Sequence, residues 1–238
     1  MDRDAAPTAD GGLPLDGEGL ALDGERLARR KKRAEQITRT LDSLYPEADC
    51  TLESGDPLQL LVSTILAAQC TDMRVNIVAE TLYKKYRSAA DFAGADAAEL
   101  EHDIRSIGMY RQKARNIIRC CQMITSLHGG SVPPSMEALL AMPGVGRKTA
   151  NLVLGEAFGV PGVVVDTHAG RLARRMGLTS EDDPAKVEQD LMAALPKERW
   201  IKTGHQFVLH GRGICRARGP KCGECAVEPF CAKIGVGA

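Results

Sequence analysis

The sequence predicts an all-α protein, and three observations carry that reading. From Glu25 onward apolar residues recur at helical spacing nearly everywhere. The breaks between these runs hold helix-capping residues and glycines. Only Val163–Val165 reads as strand, and three residues are too few for a sheet. With 238 residues, 44% of them apolar, the chain can bury a substantial core as one large or two small domains.

The elements follow in order. Residues 1 to 24 are acidic and Gly-rich, with little apolar material to offset the entropy of ordering, and are expected to be a disordered tail. Leu27, Ala34, Ile37, Leu41 and Leu44 then share one face of a first helix. Asp56-Pro57 is an N-cap and first-turn pair ahead of LQLLVSTILAA, which is apolar all round and therefore central to the bundle. Thr71 or Asp72 caps the next helix, Gly108 punctuates another, and Gly129-Gly130 ends a helix that starts near Arg111. Ser135 starts the helix that leads into MPGVGRKTAN at 142 to 151.

That decapeptide carries chemistry. Gly144-Val145-Gly146, preceded by Pro143 and followed by a helix-forming run, makes a tight hairpin with Arg147 and Lys148 in the first turn of the second helix. Amides in a first turn have no intrahelical partner, so they point outward and can hold a phosphate. Asp166 in VVVDTH follows eighteen positions after Lys148, on a short apolar seat, and also reads as the N-cap of THAGRLARRM. A lysine amine beside a phosphate-binding turn suggests a nucleophile on a DNA-backbone clamp, with Asp166 stabilising positive charge and moving protons. His168, two residues on, is placed to touch a phosphate or the pocket. Taken alone the turn is an ordinary helix-turn-helix corner, Lys148 a solvated charge and Asp166 only a cap.

The C-terminus changes that balance. Cys215, Cys222, Cys225 and Cys231 have six, two and five residues between them and can wrap one metal centre. The N-terminus has no apolar core of a secretory signal, so the chain is expected to be cytoplasmic and not secreted, with its thiols reduced. Zinc and an iron-sulfur cluster both remain open; only Cys222–Cys225 is a close-spaced knuckle where structural zinc sites usually pair two, which leans toward the cluster. No stretch reaches the roughly 20 apolar residues that span a bilayer, so no membrane association is expected. Formal charge is zero, but residues 1 to 25 hold seven acids against Arg3, which leaves the other 213 residues at +6. Between 197 and 221 seven basic residues, among them Arg216, Arg218 and Lys221, meet one acid, the footprint of a phosphate-binding surface.

Taken together, MPGVGRKTAN, VDTH, LHGRGIC and the cysteine loop resemble the endonuclease III family, the iron-sulfur branch of the helix-hairpin-helix DNA glycosylases with AP-lyase activity. The similarity runs from about Arg26 to about Ile234. It implies a six-helix barrel over residues 50–160 that holds the hairpin, and a smaller iron-sulfur domain made of residues 25–49 and 161–234. Lys148 and Asp166 would stand on opposite walls of the cleft between them. It further implies a 4Fe-4S cluster on the four cysteines, Lys148 as the imine-forming nucleophile with Asp166 as its catalytic partner, and a nucleoid-associated monomer acting on double-stranded DNA with damaged pyrimidines or abasic sites. ILAAQCTD at 65 to 72 is similar to the family stretch with a DNA-inserting Gln, here Gln69, and a second acidic residue, here Asp72. The corner at 107 to 110 would offer Met109 as a wedge. That corner echoes the hairpin at Gly108, Arg111 and Ala114, and Lys113 is given no catalytic meaning. Three competing readings lack some of these features. A monofunctional adenine-type glycosylase keeps the Asp but not the Lys, a non-catalytic hairpin module needs neither, and a ferredoxin-like electron carrier needs no hairpin.

Overall fold

The computed structural model describes residues 17–236, with side chains from Gly24 on, and every regular element among them is helical. In order these are α1 (Gly17–Leu44), α2 (Pro57–Ala67), α3 (Asp72–Lys85), α4 (Ala89–Ala93), α5 (Ala97–Asp103), α6 (Tyr110–Leu127), α7 (Met136–Leu140), α8 (Arg147–Phe158), α9 (Thr167–Arg175), α10 (Pro184–Ala194) and α11 (Trp200–Gly213). Three single 3-10 turns, one before α11 and two in the cysteine loop, complete the set. The all-α expectation therefore holds, and Val163–Val165 passes as extended chain without pairing.

Local chemistry sets most helix starts. Asp56 accepts from the amides of Leu58 and Gln59 and Pro57 fills the first turn of α2. Thr71, not Asp72, caps α3; Ser135 caps α7. Each such cap stabilises its helix by roughly 1 kcal/mol. Gly129 and Gly130, both at positive φ, stop α6. Two expectations need correction. Helix α1 begins at Gly17, so residues 17–24 extend it instead of belonging to the tail; Glu18, Leu20, Ala21 and Leu22 favour helix, and propagation from an existing helix, which needs no new nucleus, offsets the three glycines. Residues 1–16 lie outside the described part. Leu44 is exposed, because α1 ends there and the chain leaves the surface that Ile37 and Leu41 bury.

The side chains condense into two cores. One is built from residues between Leu52 and Leu154, enclosed by α2 to α8, of which α4, α5 and α7 are short and start at caps on Ser88, Asp96 and Ser135. Helix α2 lies at its centre, with Leu60 to Leu66 continuously buried, as its all-round apolarity requires. Phe92 stacks on Tyr86 at 4.8 Å between ring centroids on the far side. The second core joins Ala34, Ile37 and Leu41 of α1 to Val163, α9, α10, Phe207 of α11 and Val227 of the cysteine loop. The two meet along α8 and α11, where Gly155 lets Ile201 approach and His205 Nε2 bonds Glu156 at 2.7 Å. No described helix is long and apolar enough to cross a membrane.

Candidate active site

The hairpin lies between α7 and α8. Gly144 takes φ +82°, and a Cβ there would sit 2.9 Å from the Asn116 amide, so this position requires glycine on both counts. Gly146 differs: it caps α8 with ordinary φ −97°, and a Cβ would meet no protein atom within 4 Å. The space it leaves free faces outward, beside the unpaired first-turn amides of α8 and the exposed Lys148. One turn after Lys148, Asn151 is buried and donates to the Val163 carbonyl (3.4 Å). Gly162 packs against that same side chain so closely that a Cβ would lie 2.7 Å from Asn151 Oδ1. The extended Val163–Val165 is thus tied to the helix of Lys148 three residues before Asp166. Asp166 caps α9, its carboxylate accepting from the Ala169 amide at 2.7 Å, while its side chain stays half-buried. His168 Nδ1 lies 3.2 Å from Arg171, and Gly211 of α11 leaves room for its ring. Burial pushes the His168 pKa below the ordinary imidazole value, so the ring is neutral at neutral pH.

Gln69 and Met109 follow α2 and precede α6, and share a rare backbone state. Among the described residues only they and Lys233 are non-glycines at positive φ (54° and 57° for the pair). Their loops abut, a Cβ on Gly108 lying 3.9 Å from the Gln69 carbonyl, and Met109 is 52% exposed. Left-handed non-glycine residues persist only where the surroundings over-determine them, and here two exposed ones lie side by side. Asp72 accepts from Thr51 (2.6 Å) and pairs with Arg212 (3.2 Å), so it bridges the start of α3 to the end of α11.

At the other end of α9 the four cysteine thiols, none in a disulfide, line one small cavity together with Met176, Ile214 and Val227. No three of these sulfurs lie within 4.8 Å of one another; among the described residues only Asp49, Glu156 and His205 form so tight a trio. Around a single zinc ion, thiolates would stand only about 3.8 Å apart, given Zn–S bonds of about 2.3 Å. The donor set and its spread thus fit a larger inorganic core.

Residues 62–197 match the model of the HhH-GPD superfamily base excision DNA repair proteins. Endonuclease III of Synechocystis is 48% identical over 203 residues, 85% of this chain and 93% of that one. The chain belongs to the endonuclease III family. The Escherichia coli member is 38% identical over 202 residues, covering 85% of this chain and 95% of that protein. A solved trapped endonuclease III–DNA covalent intermediate superimposes with a TM-score of 0.81 at 42% identity, over 85% of this chain and 96% of that one. A thermostable thymine-DNA glycosylase shares the fold, with a TM-score of 0.75 at 24% identity.

Arg216 and Arg218 are exposed, while Lys221 is half-buried and paired with Glu224 at 3.0 Å. Arg147, expected on DNA, gives a bidentate pair to the buried carboxylate of Glu188 on α10 (2.7 and 3.0 Å), so its guanidinium joins the two cores while about half of its side chain stays exposed. Sequence reasoning missed Asn151, Arg171 and Arg175. The last two lie one turn apart on α9 and clamp the cysteine loop. Arg171 donates to the carbonyls of Gly211 and Cys215, and Arg175 to those of Arg216 (2.7 Å) and Ala217 (3.0 Å). Their i,i+4 spacing was visible; their acceptors, forty positions away, were not.

Proposed function

We propose that this base excision repair glycosylase and AP lyase removes oxidised pyrimidines from double-stranded DNA, as a monomer. The Lys148 amine attacks the anomeric sugar carbon, the base departs, and the resulting imine acidifies the neighbouring sugar proton so that β-elimination releases the 3′ phosphate. Asp166, its carboxylate held by the α9 cap, stabilises the cationic sugar and relays protons. Gln69 fills the space vacated by the extruded nucleotide and meets the orphaned base, and Met109 wedges beside it. The hairpin amides of α8 and the exposed Arg216 and Arg218 hold phosphates. The observation that carries this reading is the tie between the helix of Lys148 and the seat of Asp166, made through Asn151, Gly162 and Val163. Duplexes carrying single damaged bases, incubated with the protein under borohydride, test it. Oxidised pyrimidines and abasic sites should yield cleaved strand and a covalent adduct, and alkylated or mispaired purines should not. Base release without any adduct would mean a monofunctional enzyme.

Cys215, Cys222, Cys225 and Cys231 are the residues to hold a 4Fe-4S cluster. With four thiolate ligands the metal keeps no open position, so its contribution is to fold the loop that carries Arg216 and Arg218. Protein as purified is expected to be yellow-brown with about four irons per chain. Colourless protein with one zinc would reverse that assignment.

A further inference from the structure

Lys113 is a lysine where none should sit. It is only 3% exposed, in the first core, and no carboxylate pairs with it among the described residues. Its Nζ donates instead to the carbonyls of Leu66 (2.8 Å) and Ala68 (2.6 Å), two of the orphan acceptors at the C-terminal end of α2. The negative end of α2 meets the buried charge. Burial lowers the pKa of this amine below the ordinary lysine value, so the interior tolerates the ammonium only because those carbonyls face it. The next residue after Ala68 is Gln69, at φ +54°. The backbone amide of Lys113 donates to the carbonyl of Met109 (3.1 Å), which stands at φ +57°. One residue therefore grips both strained loops, one through its side chain and the other through its backbone.

We propose that Lys113 is a positioning residue that locks Gln69 and Met109 into a single rigid unit for insertion into the duplex. It rests on the reading that these two enter the base stack. Neither loop has regular structure of its own to hold a left-handed residue, and such conformations persist only where the surroundings over-determine them. Removing the ammonium leaves two buried carbonyls unmet and frees Ala68–Gln69 to relax toward ordinary φ. The inserted side chain would then have to be ordered at each encounter with DNA. Lys113 touches no reacting atom.

The test compares single-turnover excision of thymine glycol from two substrates. In one the lesion is opposite adenine; in the other it is opposite an abasic position, where there is no orphaned base to meet. Lys113→Met keeps the length and apolar stem and removes the donors. It should lower the ratio of the two rates by about ten- to a hundredfold, the scale of a misplaced positioning group. The rise in 2-aminopurine fluorescence opposite the lesion should shrink with it. Gln69→Ala tests the underlying reading, and should lower the same ratio. The double variant should lose little more than either single one, since both act on one unit. A normal ratio in Gln69→Ala means that the insertion reading is wrong. A lowered ratio there, with a normal one in folded Lys113→Met or with equal loss on both substrates, overturns the role of Lys113. Should Lys113→Met not fold, Lys113→Leu, which likewise carries no donor, gives the same comparison with the same two outcomes.

Discussion

Lys148→Gln should abolish the borohydride-trapped adduct and lower strand cleavage by roughly four to six powers of ten, the scale of removing a covalent nucleophile, while leaving DNA binding nearly intact. Lys148 is exposed in the first turn of α8. Glutamine has similar helix propensity, so folding should change by no more than about 0.5 kcal/mol, as for a surface substitution. Peptide mapping of the wild-type adduct checks the assignment. Sugar carbon linked to any lysine other than Lys148 would sink it, and so would an adduct that survives in the variant.

Asp166→Asn separates the chemistry from the clamp. Asparagine caps a helix as well as aspartate, so the bond to the Ala169 amide and the start of α9 should persist. What is lost is the negative charge and the proton acceptor. Turnover should fall by about two to four powers of ten with affinity and salt dependence nearly unchanged. Arg218→Ala should do the reverse, weakening binding to damaged and undamaged duplexes alike and reducing the salt slope by about one unit, the value of one lost phosphate contact. Lys221 should contribute less than Arg218, because Glu224 already pairs with it. Binding at several salt concentrations, with single-turnover rates for both variants, decides the matter. An unchanged slope in Arg218→Ala, or lost binding in Asp166→Asn, would mean that clamp and catalyst are not separate.

Helix α9 runs physically between Asp166 and the cysteine loop. Asp166 caps its N-terminus, and at its C-terminal end the Arg175 carbonyl accepts from the amide of Ile234. Arg171 and Arg175 reach from the same helix to the backbone of Cys215, Arg216 and Ala217. Nine residues of rigid helix therefore separate the carboxylate from the loop that presents Arg216 and Arg218. A distorted cysteine loop would be felt at both ends of α9.

The sequence by itself determined the features that depend on near neighbours. The α-helical class follows from apolar spacing, and the starts of α2, α7 and α9 from Asp56, Ser135 and Asp166, because a cap bonds amides only two or three residues ahead. The hairpin glycines and the clustered thiols belong with these, since a tight turn and a four-cysteine loop are both written in consecutive residues. Tertiary structure alone decided the partners that lie far apart in the chain. Arg147 was legible as a basic residue in a phosphate-binding turn, but forty-one positions separate it from the Glu188 carboxylate that engages it. Lys113 read as an unremarkable cation at a corner, whereas packing buries it against carbonyls 45 and 47 positions earlier. A charged side chain has the same local pattern whether it meets water, a phosphate or an orphan carbonyl. Which of these it meets depends on how the helices pack, and periodicity along a single chain carries no record of that.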